Sequence, residues 1–401
     1  MPGGRERDHV RIEGGDGDPT GEDGGVVELG GDDLLRLRMA SLLLAGRATR
    51  TPAEVVGWFG AMQAQDLASG EWSFGVRCEG LTQADVHQAT VDRTILRTWP
   101  MRGTVHFVPP RDARWMLEVT GVRALAGAER RRAHLGLSEA TVDRAAAVLG
   151  EALHGGGCLT RSECIDLLVD AGIHTAPEHG YHLLWYASQI GVTCIGPQRG
   201  KEQTFVLLDE WVPDPHRMSR DDALAELAIR YFRGHGPATR QDLAGWTGLP
   251  AADVRRGIDL AGDALAAVEV DGRPMVLSSA LLDTAPAVTS GGAGDDLLLL
   301  PGFDELVLGY KDRSAVLAPE HVQRVLPGRN GVFMPTIVVG GRVVGTWKRT
   351  VKGRRVEVVP SPFRPLSGDQ EGAFLRARDG YAAYLQLEGV GPSNDPGTDG
   401  D

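Results

Sequence analysis

The sequence predicts an α+β fold: three tandem winged-helix modules followed by a C-terminal β-barrel and a terminal helix. Three observations predict it. A helix–helix–helix–strand order recurs three times, and Thr-Arg pairs at 49–50, 160–161 and 239–240 precede the second helix of each copy, as degenerate repeats of one module would. Between Thr284 and Asp296 the composition turns to Ala, Gly, Ser and Pro, which marks a linker. Beyond it the apolar residues fall in short runs of strand length, with Gly340-Gly341 between two of them as a hairpin signal.

Taken in order, residues 1–31 read as a disordered acidic tail. The first module spans 32–136. It opens with a helix from about Asp32 to Leu44, and Thr51 then caps a second helix that has Pro52 at its first position. Val55, Val56, Phe59 and Met62 recur there at helical spacing. A third helix covers 82–92, and a strand from Arg102 to Val108 runs into Pro109-Pro110. The second module, 137–217, has helices over 139–153, to Asp170 and from Tyr181 to Gln189, then a strand from Thr204 to Leu208. The third, 218–283, has helices from Ala223 to Arg233, after Thr239-Arg240, and from Ala251 to Leu260, closing on two strands around Asp271-Gly272. After the linker 284–296, residues 297–390 supply the barrel strands and a closing helix from Gln370 to Leu387, and 391–401 form a second disordered tail.

With 42% apolar residues, the 401-residue chain has ample material for a core. The absence of an 18-residue apolar run, and an acidic, Gly-rich start, argue against a membrane span or signal peptide, so a cytoplasmic, nucleoid-associated protein is expected. Cys78, Cys158, Cys164 and Cys194 form no C-x-x-C pair and read as buried thiols rather than zinc ligands. A net charge of -12 argues against a nucleic-acid partner until its distribution is considered. Residues 1–33 carry -7 and residues 391–401 carry -3, leaving about -2 on the body, which can still present a basic face.

The chemistry centres on Ala61-Met62-Gln63-Ala64-Gln65-Asp66, followed by Trp72-Ser73-Phe74-Gly75-Val76-Arg77. If Ala64 packs inward in an extended segment, Gln63 and Gln65 point together from the opposite face. Each carboxamide offers an acceptor oxygen and two N–H donors. The segment resembles the glutamine-apolar-glutamine motif of the AlkZ-like winged-helix DNA glycosylases, bacterial enzymes that excise bulky alkylated purines and unhook interstrand crosslinks. Thr98-Trp99-Pro100-Met101-Arg102-Gly103-Thr104-Val105-His106, Phe303-Asp304-Glu305 and Tyr310-Lys311-Asp312-Arg313-Ser314 resemble the same family. The similarity covers about residues 34 to 385.

The resemblance implies a monofunctional glycosylase acting on double-stranded DNA with N7-alkylated purines, in repair or in self-resistance to a genotoxic natural product. It carries the catalytic role onto Gln63 and Gln65 only. N7-alkylation makes the base a cationic leaving group, so two amides that position a water and turn carbonyl dipoles toward an oxocarbenium-like sugar suffice. Where relatives place Asp second in the motif, Gln65 stands here, restricting the chemistry to cationic adducts. His106, in phase with Thr104 on its strand, is a candidate lesion contact or a satisfied structural histidine.

Lys348, Arg349, Lys352, Arg354 and Arg355 cluster around a Lys352-Gly353 turn, a positive hairpin that either meets phosphates or guards a solvated edge. Arg50, Arg102, Lys311, Arg313 and Arg329 are further candidates for DNA binding. Asp304 and Glu305 read as structural or positioning groups. No phosphate loop, metal-ligand cluster or nucleophile elbow occurs, so no cofactor, metal or obligate protein partner is expected. The alternative is a non-enzymatic winged-helix DNA-binding protein, a transcriptional regulator, for which Arg255 and Arg256 provide a basic recognition helix. Sequestration of a small toxin without DNA would leave the basic hairpin unused.

Overall fold

The computed structural model describes residues 27–390, except 47, 174–175, 291–296 and 330. The expectations for residues 1–26, for 291–296 of the linker and for 391–401 lie outside the described residues. The first part of the chain runs β1 (Val27–Leu29), α1 (Gly31–Ser41), α2 (Pro52–Phe59), β2 (Met62–Gln63), α3 (Leu67–Gly75), α4 (Gln83–Val91), β3 (Leu96–Met101), β4 (Thr104–Val108) and α5 (Ala113–His134). Next come α6 (Glu139–Ala152), β5 (Leu159–Thr160), α7 (Arg161–Asp170), α8 (Pro177–Gln189), β6 (Thr193–Arg199), β7 (Glu202–Leu207) and α9 (Leu208–Trp211). The third part is α10 (Arg220–His235), α11 (Arg240–Thr247), α12 (Ala251–Ala261), β8 (Leu265–Val270), β9 (Arg273–Ser278) and α13 (Ser279–Ser290). The last is β10 (Leu297–Leu300), α14 (Glu305–Leu308), α15 (Val322–Val325), β11 (Thr336–Val339), β12 (Arg342–Lys352), β13 (Arg355–Pro362), α16 (Gly368–Tyr384) and β14 (Glu388–Val390).

The fold is mixed α+β, and local chemistry accounts for many of its boundaries. Thr51, Thr160 and Thr239 cap α2, α7 and α11, and each is answered by a carboxylate three residues on: Glu54, Glu163 and Asp242. In the first copy the capping residue is thus Thr51, immediately after the Thr49-Arg50 pair. Asp271 (φ 47°) and Gly272 (φ 73°) turn β8 into β9, the left-handed pair that a two-residue hairpin requires. Gly340 and Gly341 do the same between β11 and β12.

Five expectations are corrected. Residues 27–31 are not tail: β1 pairs in parallel with β8, and α1 begins at Gly31. The strands expected to close the first two modules separately belong to one sheet, because β3 pairs with β6 and a single six-stranded sheet results, in the order β2-β4-β3-β6-β7-β5. The strand expected from Arg102 begins only at Thr104, because Arg102 (φ 56°) and Gly103 (φ 68°) form the turn that joins β4 to β3, a strand the sequence reading did not foresee. Residues 284–290 belong to α13 rather than to a linker. The C-terminal sheet is an open run β10-β11-β12-β13-β14, a half-barrel in which β10 and β14 do not pair.

Helix α16 packs against β10 on this open sheet. Trp72 of α3 meets Tyr381 and Tyr384 of α16 at centroid distances of 4.8 and 4.9 Å, and Trp347 of β12 meets Tyr381 at 5.2 Å. Such pairs add about 0.5–1.5 kcal/mol each beyond burial of their area. They fix the helix that follows the glutamine motif against the half-barrel. Cys78, Cys164 and Cys194 are buried and Cys158 is half-buried, and the four form no disulfide.

Candidate active site

Helix α2 delivers the chain to the motif and ends at Gly60, whose φ of 78° reverses the backbone into β2. Met62 and Gln63 pair with Phe107 and His106 of β4, and the Ala64 amide donates to the Val105 carbonyl at 2.8 Å. Asp66 then caps α3 by accepting the Ser69 amide at 2.8 Å. The strand therefore cannot reach Gln65. Ala64 is held from two further sides. The buried guanidinium of Arg97 donates to its carbonyl at 3.4 Å, and Gly70 of α3 lies so close that a Cβ there would stand 3.0 Å from the Ala64 Cα.

The two amides consequently occupy different surroundings instead of sharing one face. Gln63 stands opposite His106, and His106 opposite Thr98, forming a polar row across β2, β4 and β3. Its side chain is 8% exposed, and Oε1 has no partner among the described residues. Gln65 is exposed and bends back so that its Oε1 accepts the Val105 amide at 3.2 Å, supplying the next rung that the strand lacks. Because a backbone N–H can only donate, the oxygen faces Val105, leaving Nε2 and its two donors for other contacts.

His106 is 0% exposed, which rules out the expected direct contact with a lesion in this conformation. Its Nδ1 faces the Thr104 carbonyl at 2.8 Å and so donates, leaving Nε2 to accept from Arg102 at 3.4 Å. Burial, helped by the Arg102 charge, pushes the His106 pKa down to about 3. The ring stays neutral near pH 7.

Arg102 is likewise turned inward, away from any phosphate. It donates to the Gly245 carbonyl at 3.4 Å and sits near Glu305; burial lowers its pKa, with Glu305 and Tyr231 opposing. Glu305 accepts from His235 Nε2 at 3.0 Å and Trp246 Nε1 at 3.2 Å. Burial pushes its pKa up, but His235, Arg102 and His106 outweigh it and hold the carboxyl below its ordinary range. Asp304 forms a two-pronged ion pair with Arg77, at 2.8 and 3.1 Å. Both acids are buried, and Oε1 of Glu305 has no partner among the described residues.

Gln65 opens onto a cavity of about 350 Å³ between the first two parts of the chain. Arg97, Trp99 and Val105 line its sheet side, Tyr181, Leu184 and Trp185 of α8 a second side, and Arg161, Lys201 and Glu202 its rim. The sequence reading proposed none of these as site residues, although Trp99 and Val105 lie in the segment quoted for the family resemblance. Arg97 shares a strand with the quoted Thr98-Trp99 segment, so a reading of strand alternation through Leu96–Met101 could have found it. Burial lowers the Arg97 pKa to about 10, partly offset by Glu71, so it remains charged.

The remaining basic candidates scatter. Arg50 is half-buried and donates to the Arg77 carbonyl at 3.3 Å. Lys311 is exposed, whereas Arg313 bonds the carbonyls of Val307 and Lys311. The Arg329 side chain lies outside the described residues. In the β12–β13 hairpin, Lys348, Lys352, Arg354 and Arg355 are exposed, and Arg349 is half-buried with its guanidinium 5.9 Å from the Tyr381 ring. Arg355 lies 3.4 Å from Glu388. The unforeseen helix α5 adds Arg123, Arg130 and Arg131, all exposed. Among the described residues no group of three or more His, Cys, Asp or Glu converges as a metal site.

The sequence profile of the family described as DNA glycosylase AlkZ-like matches residues 56–384. The chain belongs to the AlkZ-like DNA glycosylase family. It is 29% identical over 363 residues to the interstrand DNA cross-link repair glycosylase of Streptomyces sahachiroi, covering 87% of this chain and 93% of that one. The solved structure of Streptomyces sahachiroi DNA glycosylase AlkZ superposes with a TM-score of 0.74 at 25% identity, over 91% of this chain and all of the other. The AlkZ-like match thus spans both the glutamine motif and the half-barrel that braces it.

Proposed function

We propose that this AlkZ-like protein hydrolyses the N-glycosidic bond of N7-alkylated purines in double-stranded DNA, including bulky adducts and crosslinks, in repair or self-resistance. We read its helix–helix–helix–hairpin units as three winged-helix modules that lay the DNA across the glutamine motif. The observation that carries the reading is the state of the two amides: Gln63 keeps a buried acceptor without a partner among the described residues, and Gln65 keeps donors at the mouth of a cavity. An acceptor held in a site of low polarity can orient a water and favour developing positive charge on the sugar. Donors beside it can hold that water or an acceptor on the adduct.

The acids and the histidine that flank them along the chain and the sheet are occupied. Asp66 is occupied as the cap of α3, Glu71 is bonded to Gln83 and His87, and His106 is neutral and enclosed. The chemistry is thereby confined to bases already activated as cations. Lys352 and Arg354 at the tip of the hairpin are exposed, which supports a role in meeting phosphates. A regulator is less well supported, because Arg256 of α12 is engaged by Asp221.

The test is incubation with duplex carrying N7-methylguanine, scored for abasic sites. Gln63→Ala and Gln65→Ala are each expected to lower single-turnover release at least tenfold while DNA affinity stays within threefold. Release by wild type equal to that without protein would overturn the proposal.

A further inference from the structure

Phe303 and Phe333 meet beside the first turn of α3, with ring centroids 5.9 Å apart and planes inclined at 49°. The backbones that carry them cross there. A Cβ at Gly302 would stand 2.8 Å from the Phe333 carbonyl oxygen and 3.4 Å from the Ser69 hydroxyl. Ser69 supplies the amide that Asp66 caps, and Gly70 after it lies against Ala64 and the Gln63 carbonyl. The ring pair is thereby keyed to the glutamine motif.

Phe303 holds a φ of 63°, a left-handed conformation that a bulky side chain adopts only when its surroundings impose it. Its neighbours do so. Gly302 is buried under the Phe333 carbonyl, and Asp304 is 3% exposed, ion-paired to Arg77 and bonded to the first turn of α14. Between these two fixed residues the Phe303 ring stays only half-buried. Phe333 is half-buried as well, in a segment held where the Met334 amide donates to the Val325 carbonyl at 2.9 Å and the Trp347 amide to the Pro335 carbonyl at 3.2 Å. Val332, 38% exposed, extends the apolar surface. A strained backbone that keeps an aromatic ring at the surface beside a reactive motif points to use rather than to core filling.

The flank of this surface is positive. Arg313, anchored on the carbonyls of Val307 and Lys311, holds its guanidinium 5.4 Å from the Phe333 ring, and Lys311 is exposed. The carboxylates close by are engaged: Asp312 by Arg273 at 2.6 Å, Asp66 by the Ser69 amide and Asp304 by Arg77. Flat apolar faces flanked by cations match a nucleobase and the phosphates on either side of it.

We propose that Phe303 and Phe333 form a wedge on which a base next to the damaged one stacks, opening the duplex where Gln63 and Gln65 need the sugar. Stacking on the two rings offsets the stacking lost between bases. The proposal rests on the glycosylase reading above and adds two positioning residues, which act through the DNA rather than on the reacting atoms.

Single-turnover release of N7-methylguanine from duplex is measured for wild type, Phe303→Leu, Phe333→Leu and Phe303→Tyr. Leucine keeps the apolar bulk and loses the flat face, whereas tyrosine keeps both. Release is expected to fall at least tenfold in each leucine variant and to stay within threefold of wild type in Phe303→Tyr. On single-stranded DNA, which needs no opening, the leucine variants should come within threefold of wild type. Equal losses on duplex and single strand, or leucine variants as fast as wild type on duplex, overturn the wedge. A second duplex carries 2-aminopurine beside an N7-methylguanine whose 2′-fluoro sugar resists hydrolysis. Binding of wild type should raise the 2-aminopurine fluorescence at least twofold, and binding of the leucine variants should leave it nearly unchanged. This signal needs no bond cleavage. If wild type brightens the reporter but releases no base, the glycosylase reading fails and the wedge stands; if it releases base without brightening the reporter, the wedge alone fails.

Discussion

Removal of the Asp304 carboxylate probes the brace behind the glutamine motif. Arg77 follows α3 and is completely buried; its Nε donates to the Leu42 carbonyl at 2.8 Å, and one N–H of its NH1 donates to the Ser73 carbonyl at 3.0 Å. The other contacts are the two bonds to Asp304. Asp304→Ala therefore leaves a buried cation with half of its bonded donors orphaned, a class of change that costs about 3–5 kcal/mol. It also deletes the cap of α14, where Asp304 Oδ1 accepts the Leu306 amide at 3.0 Å, worth about 1 kcal/mol more. The expected loss is about 4–6 kcal/mol. Arg77→Met combined with Asp304→Leu removes both charges and should cost clearly less than the sum of the single changes. Urea unfolding followed by tryptophan fluorescence measures the loss, with the Trp72 indole, which donates to the Leu299 carbonyl, among the reporters. A loss below about 1 kcal/mol for Asp304→Ala, or simple additivity in the double variant, would refute the assignment of the pair as a desolvated brace.

Three further outcomes are expected. The folded chain refuses a proton on His106 until about pH 3, whereas the unfolded chain accepts it near 6.5, so this stability is complete above 6.5 and is lost as pH falls from there toward 3, at no more than about 1.4 kcal/mol per unit. Glu305, also held low, adds a loss of the same sign in more acidic solution; urea midpoints at pH 7, 6 and 5 should fall in wild type and flatten in His106→Gln, and parallel trends would contradict the account. Gly70→Ala brings a Cβ to 3.1 Å from the Gln63 carbonyl and 3.0 Å from the Ala64 Cα; overpacking of about 1–3 kcal/mol should lower adduct release while DNA affinity persists, and unaltered release would show that the motif tolerates displacement. Lys352→Ala and Arg354→Ala should each reduce the slope of log affinity against log salt by about one, with an unchanged slope arguing that the hairpin stays clear of phosphates.

The parts of the fold legible in the sequence are those that neighbouring residues determine. Thr51, Thr160 and Thr239 with their carboxylates three residues on, and the Asp271-Gly272 and Gly340-Gly341 turns, are complete signals within a few positions. Helix α5 escaped because its second half is largely exposed and gives no apolar period. The geometry of the glutamines failed for a different reason. Alternation holds only while the strand lasts, and Asp66 ends it by capping α3 with the Ser69 amide, a competing local signal three residues long. The depth of His106 had no local signal, since its cover comes from Arg102, itself anchored by Gly245, and from the charge of Glu305. Such a site is assembled by segments about 200 residues apart, so its residue types can be matched to a motif while its electrostatics cannot. That separation explains why the glutamine motif could be matched from sequence, whereas the neutral state of His106 and the cationic cavity beside Gln65 required the fold.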